Sequence, residues 1–127
     1  MIAVTDTMGL VLYLEGRNSG PLATQIFSEA CTGISTIYIP TMICAEIGYL
    51  SERKRIGCSL ADVMQALASP NFIEYPMSFN VICRAFKIDD IPELHDRLIA
   101  GTSAYLDLPL ISNDPVITAS VHCNVIW

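Results

Sequence analysis

A chain of 127 residues that is 52% hydrophobic and 16% charged has apolar material for one sizeable core and too little length for two ordinary domains. Thirteen acidic against seven basic side chains leave a net charge of −6. That excludes a protein gripping nucleic acid over its whole surface, because phosphate binding depends on clustered Lys and Arg.

The predicted elements alternate between strand and helix. Ile2 to Thr5 is a short β run, and Thr7 to Glu15 has helical spacing that Gly16, Gly20 and Pro21 interrupt before a second helix at Leu22 to Cys31. Ser35 to Pro40 ("STIYIP") is β-branched and aromatic. Thr41 is positioned to cap a helix reaching Arg55, with Gly57 as its stop. Ser59 to Asp62 has the spacing of a capping box for a helix through Ala68. Asn71 to Tyr75 alternates like a strand, Ser78 can cap a helix through Phe86 or Lys87, and His95 to Leu106 is helical. Pro109 to Ser112 and the terminal "NVIW" complete the strands. Strands separated by helices of about ten residues predict a single α/β domain over 1–127, with a mainly parallel sheet and helices on both faces.

The mean hydropathy of +0.46 raises the question of a membrane span. The charge-free stretch Ala30 to Ala45 contains Thr32, Gly33, Ser35, Pro40 and Thr41, and falls short of the roughly 20 apolar residues a spanning helix needs. No signal-peptide pattern opens the chain, so a cytoplasmic location is expected. The five cysteines, Cys31, Cys44, Cys58, Cys83 and Cys123, form no C-x-x-C pair and are expected to be reduced, buried, small apolar residues.

This architecture gives certain acids a meaning. Ligands of open parallel sheets bind beyond the carboxyl ends of the strands. Asp6 follows the first strand, and Asp114 follows "PLISN" in a matching place. Each taken alone is a helix cap. Glu46 and Asp96 are harder to dismiss. Glu46 shares a helix face with Met42, Ile43, Tyr49 and Leu50, and Asp96 with Ile99, Ala100 and Ser103. A carboxylate on such a face is costly without a cation or hydrogen-bond partners, and Arg84 or Arg97 are the available ion-pair partners. With so few cations, ion pairing is a strained account of four acids together.

Two acids after parallel strands and two on apolar helix faces could instead converge to hold a hard divalent ion, Mg²⁺ or Mn²⁺. The chain lacks a phosphate-binding glycine loop, a dinucleotide fingerprint and a nucleophile elbow. His95 and His122 are isolated, as surface or helix-end histidines are. Arg53, Lys54 and Arg55 form the single basic run, which by itself reads as a solvated helix end complementing the dipole.

Asp6-Thr7 after the first strand, "IPTMICAEIGYLSERKRIG" with Glu46, "HDRLIAGTSAYLDLPLISND" with Asp96 and Asp114, and a terminal "VIW" together resemble the PIN-domain ribonucleases. The compact length is similar to the VapC-type toxins of toxin–antitoxin pairs. The resemblance covers essentially the whole chain and implies a PIN-like fold and a Mg²⁺- or Mn²⁺-dependent endoribonuclease. It implies Asp6, Glu46, Asp96 and Asp114 as the acidic quartet, with Thr7 and Asn113 lining the pocket. Met8 departs from the pattern, standing where many relatives place a small polar residue. An RNA substrate is implied too, its contact falling to a local patch of Arg53, Lys54, Arg55 and Arg97, as are a cognate antitoxin and a homodimer. The stripes around Val11, Leu12 and Leu14 or around Ile26 and Phe27 either meet that partner or pack inside the domain. Two other readings stand beside this one. A non-catalytic PIN-like module would bind RNA or protein without turnover. A phosphotransfer domain using Asp6 as nucleophile would be expected to carry a D-x-D or a late lysine, and "DTM" and "ISND" supply neither.

Overall fold

The computed structural model describes residues 1–127. Five strands, β1 (Ile2–Thr5), β2 (Thr36–Pro40), β3 (Phe72–Tyr75), β4 (Leu110–Ile111) and β5 (Val125–Ile126), form one sheet in the order β3-β2-β1-β4-β5. Every neighbouring pair is parallel, so the expected α/β class with a parallel sheet is what the chain adopts. Seven helices connect the strands: α1 (Thr7–Leu14), α2 (Pro21–Cys31), α3 (Thr41–Glu52), α4 (Leu60–Leu67), α5 (Phe79–Ala85), α6 (Leu94–Leu106) and α7 (Pro115–Ala119). None is long and apolar enough to cross a membrane.

The chain lays β2 and β3 outward on one side of β1, then returns to add β4 and β5 on the other. Helices α1 to α4 pack among themselves and against β2 and β3, whereas α5 and α6 pack on each other and α6 on β1. Right-handed crossovers put those two groups on opposite faces. The order therefore reverses between β1 and β4, which is where an open parallel sheet leaves a crevice at its carboxyl edge.

The core is aliphatic. Val4, Ile37, Ile39, Leu110 and Ile111 of the strands and Leu10, Val11, Ile43 and Ile47 of the helices are fully buried. Val11, Leu12, Ile26 and Phe27 are buried within the chain and Leu14 is half-buried against the core, so both stripes pack mainly inside the domain. Tyr13, Phe27 and Phe72 form a three-ring cluster, with centroid distances of 4.7, 5.4 and 6.3 Å. The cysteines are free, but only Cys58 is buried; Cys31 and Cys83 are exposed and Cys44 and Cys123 half-buried, which corrects the expectation for four of the five.

Several helix ends follow the side chains that predicted them. Ser59 and Asp62 form the capping box of α4, and the Ser78 hydroxyl accepts from the Val81 amide at the start of α5. Most other ends shift by a residue or two, and three differences have a clear physical cause. Thr41 does not cap α3: the cap position is Pro40, and the Thr41 hydroxyl donates to the Tyr75 carbonyl, tying α3 to the end of β3. The helix also stops at Glu52 rather than Arg55, because Lys54 adopts a left-handed conformation (φ 57°) and turns the chain before Gly57. Finally, α7, absent from the predicted elements, follows the cap that Asp114 alone suggests, with Pro115 in its first turn.

Candidate functional site

Asp6 and Asp114 sit at the reversal point. The Asp6 amide donates to the Ile111 carbonyl at 3.0 Å, which fixes the end of β1 beside β4. Both aspartates are helix caps, as each alone suggested. Asp6 Oδ1 accepts from the Gly9 amide at 2.7 Å, and Asp114 Oδ1 accepts from Val116 and Ile117 at 2.8 and 3.1 Å. Each cap uses Oδ1 alone, so the capping role leaves the second carboxylate oxygen to another purpose. Gly9 is required for this arrangement: a Cβ there would lie 2.7 Å from Thr5 Oγ1 and 3.0 Å from Asp6 Oδ1.

Helices from both faces of the sheet bring the other two acids over the same edge. Glu46 lies midway along α3 and Asp96 in the first turn of α6. A cleft of about 480 Å³ is lined by Asp6, Glu46, Asp96 and Asp114, together with Thr7, Asn113, Met8, Leu50, Ile99 and Pro115. All four predicted acids and both predicted pocket neighbours thus share one cleft. Thr7 has a definite role in it, donating from Oγ1 to Glu46 Oε2 at 3.1 Å. The opposite oxygen, Glu46 Oε1, is buried with no hydrogen-bond partner.

No cation neutralises this group. Arg17 with Glu15 is the sole Arg or Lys ion pair, and the Arg84 and Arg97 alternatives are not realised. Arg97 instead donates to the Ile91 and Pro92 carbonyls and lies 5.3 Å from the Phe86 ring centroid, bracing the approach to α6. The electrostatic result is a set of carboxyls pushed upward. Burial raises the Asp6 carboxyl, against the pull of the Ser112 hydroxyl and the Gly9 amide, and the Asp114 charge adds to the rise. Burial likewise raises Glu46, opposed by the Thr7 hydroxyl and His95, while Glu93 and Asp6 push it further. Asp96 is pushed up to about 6 by burial and then by repulsion from Glu93, Asp114, Glu46 and Asp6.

Glu93, at the start of α6, also belongs to this environment. Its Oε2 accepts from the Asp96 amide at 2.7 Å as the cap of α6, and its Oε1 lies 3.1 Å from His95 Nδ1. The signal available was the spacing E-x-x-D at a helix start. His95 is likewise less isolated than its sequence suggests, since its field reaches Glu46.

A second acidic group lies apart from the cleft. Ligand atoms of Asp89, Asp90 and His122 fall within 4.8 Å of one another, closer than any three acids of the cleft. These atoms already have partners. His122 Nε2 is 2.9 Å from Asp89 Oδ1, and Asp90 accepts from the Ser120 hydroxyl and the Val121 amide through its two oxygens. The cluster ties the chain after α7 to the loop before α6.

The cleft's donor set is one that a hard divalent ion fits: carboxylate oxygens, one of them buried and unpartnered, with no Arg or Lys paired to them. No protein-family model and no curated protein matches the sequence. Solved structures do match. A chain of the VapBC2 complex from Rickettsia felis bound to a DNA fragment from its promoter is 15% identical with a TM-score of 0.71, covering 99% of this chain and 98% of that one. A chain of a toxin–antitoxin complex from Klebsiella pneumoniae is 18% identical with a TM-score of 0.70, covering 98% and 96%. The likeness is one of fold over the full length, and it agrees with the PIN-like fold expected from the sequence.

Proposed function

We infer that the chain is a single PIN-like domain acting as a Mg²⁺- or Mn²⁺-dependent endoribonuclease, the toxin of a type II toxin–antitoxin pair in the cytoplasm. The observation that carries the reading is the convergence of Asp6, Glu46, Asp96 and Asp114 on one cleft with Glu46 Oε1 buried and unpartnered. A buried carboxylate oxygen without a donor is expensive, and four acids without a cation repel one another. Those costs are met if the site exists to hold a divalent cation.

The four carboxylates would hold the ion, with Asp6 and Asp114 presented from the ends of adjacent strands and Glu46 aimed by Thr7. The chemistry that Mg²⁺ or Mn²⁺ supplies in such a site is Lewis acidity at a phosphodiester and activation of water at neutral pH. Thr7 and the caps at Gly9, Val116 and Ile117 hold the carboxylates in place. RNA contact falls to Arg53, Lys54 and Arg55, which are exposed, whereas the guanidinium of Arg97 is engaged with backbone carbonyls. A cognate antitoxin and a homodimer belong to the same reading, supported by the toxin–antitoxin assemblies in which the fold recurs and by the exposed apolar rings of Phe79 and Phe86.

Purified protein is expected to cleave single-stranded RNA with added Mg²⁺ or Mn²⁺ and to stop in EDTA. Cleavage that persists in EDTA, or that survives Asp6→Asn, refutes the reading. A non-catalytic PIN-like module would bind RNA without cleaving it under any of these conditions.

A further inference from the structure

Along α3 the cleft continues into a different kind of surface. Glu46 and Leu50 line the cleft, and Tyr49 and Arg53 follow Glu46 by three and seven residues, so all share one helix face. Seven residues of helix span about 10 Å. Tyr49 is 54% exposed, and the Arg53 guanidinium lies over its ring at 4.5 Å from the centroid. Arg53, Lys54 and Arg55 are exposed in a chain with almost twice as many acids as bases, yet none forms an ion pair.

Backbone hydrogen bonds fix the turn that carries these residues. The Lys54 amide donates to the Ser51 carbonyl and the Arg55 amide to the Leu50 carbonyl, both at 3.0 Å, closing a Schellman turn. Its left-handed position is filled by Lys54, where glycine is the residue favoured by sterics. Cations at a helix carboxyl end complement the dipole. That accounts for the charge but not for an exposed aromatic ring under one guanidinium, nor for lysine at the left-handed position.

We propose that Tyr49 and Arg53 form a stacking platform for a base of single-stranded RNA adjoining the phosphodiester in the acidic cleft, with Lys54 and Arg55 against the phosphates leading away. The proposal rests on the ribonuclease reading and adds a substrate subsite to it. Sequence-tolerant binding of single strands combines aromatic faces, on which any base can stack, with cations that track the backbone. The Arg53 guanidinium lies over one face of the Tyr49 ring, so the stacking surface is the guanidinium backed by the ring. A net charge of −6 makes such a local patch the place where a polyanion is tolerated beside an acidic cleft.

The test is Mn²⁺-dependent cleavage of a fluorogenic single-stranded oligoribonucleotide by wild type, Tyr49→Ala, Tyr49→Phe and Arg53→Ala. Mn²⁺ affinity by calorimetry, melting temperature and light scattering are followed in parallel. Losing one stacked base corresponds to about a 5- to 150-fold weakening, so KM for Tyr49→Ala rises by that order with kcat little changed, while Tyr49→Phe stays close to wild type. Arg53→Ala, which removes the guanidinium plane of the platform, raises KM by the same order with kcat little changed. Mn²⁺ affinity and melting temperature stay at wild-type values throughout. The platform is overturned if wild type cleaves RNA and Tyr49→Ala does so with unchanged KM. It is equally overturned if Tyr49→Ala converts a wild-type dimer to monomer, because the face is then a protein interface. A wild type that binds Mn²⁺ yet neither binds nor cleaves RNA sinks the ribonuclease reading, and the platform with it.

Discussion

Two acidic groups in this protein differ in a way that proximity alone would misjudge. Asp89, Asp90 and His122 bring their ligand atoms within 4.8 Å, whereas the acids of the cleft stand further apart. In the tighter group each side chain has a hydrogen-bond partner: Asp89 and His122 have each other, and Asp90 has Ser120 and Val121. In the looser group burial and mutual repulsion push three carboxyls upward, and Glu46 Oε1 has no partner. A site meant for an ion is better recognised by what is left unsatisfied than by how closely its groups crowd.

The largest effect that separates the two groups is on catalysis. Glu46→Gln or Asp6→Asn should lower Mn²⁺-dependent RNA cleavage by about a thousandfold, since several kcal/mol of transition-state stabilisation are at stake. Asp89→Asn should leave cleavage unchanged. Equal losses in both groups, measured by single-turnover kinetics, would erase the distinction.

A second effect acts on the scaffold of the cleft. An exposed helical Gly→Ala gains up to about 1 kcal/mol. At Gly9 the added Cβ meets Thr5 Oγ1 and Asp6 Oδ1, so Gly9→Ala should instead cost about 1–3 kcal/mol by overpacking and weaken Mn²⁺ binding. Urea titration and calorimetry check both, and a stabilised variant with unchanged Mn²⁺ affinity would mean that the Asp6 cap is not built around that gap.

The third concerns pH. Asp96 titrates near 6 when folded and near its ordinary 3.8 when unfolded, so between those values the folded state holds more protons. Its contribution to stability therefore falls as pH rises through that window and levels off above it. In EDTA, wild type should lose melting temperature relative to Asp96→Asn from about pH 4 to about pH 7, leaving the variant equal or higher at neutral pH. With Mn²⁺ the order should reverse, because wild type binds the ion more tightly. Strong destabilisation of Asp96→Asn in EDTA would make Asp96 a structural acid. The smallest effect is expected at Asp90→Asn, which gives up good acceptors for Ser120 and Val121: a modest drop in melting temperature with no change in Mn²⁺ affinity.

The strands, most of the helices and the four acids were legible in the sequence because each obeys a local rule. β-branched runs mark β1 and β2, capping residues mark α4 and α5, and Glu46 and Asp96 stand out against apolar helix faces. What was not legible depends on backbone state or on distant partners. The end of α3 is set by the left-handed conformation of Lys54, which no composition rule assigns to lysine. Glu93 takes its place from the way α6 begins, and Thr41 bonds to Tyr75 across the sheet rather than to its own helix. The five-residue α7 is short enough for its periodicity to be invisible, although Asp114-Pro115 announced it. The Val11 and Phe27 stripes could face inward or outward by pattern alone, and packing turned both inward.

The most direct test of the central claim is calorimetric titration of Mn²⁺ into wild type, Glu46→Gln and Asp89→Asn at neutral pH. Binding should be present in wild type and in Asp89→Asn and be lost or weakened at least tenfold in Glu46→Gln. Binding that survives Glu46→Gln and disappears with Asp89→Asn would place the ion in the other cluster and contradict the account.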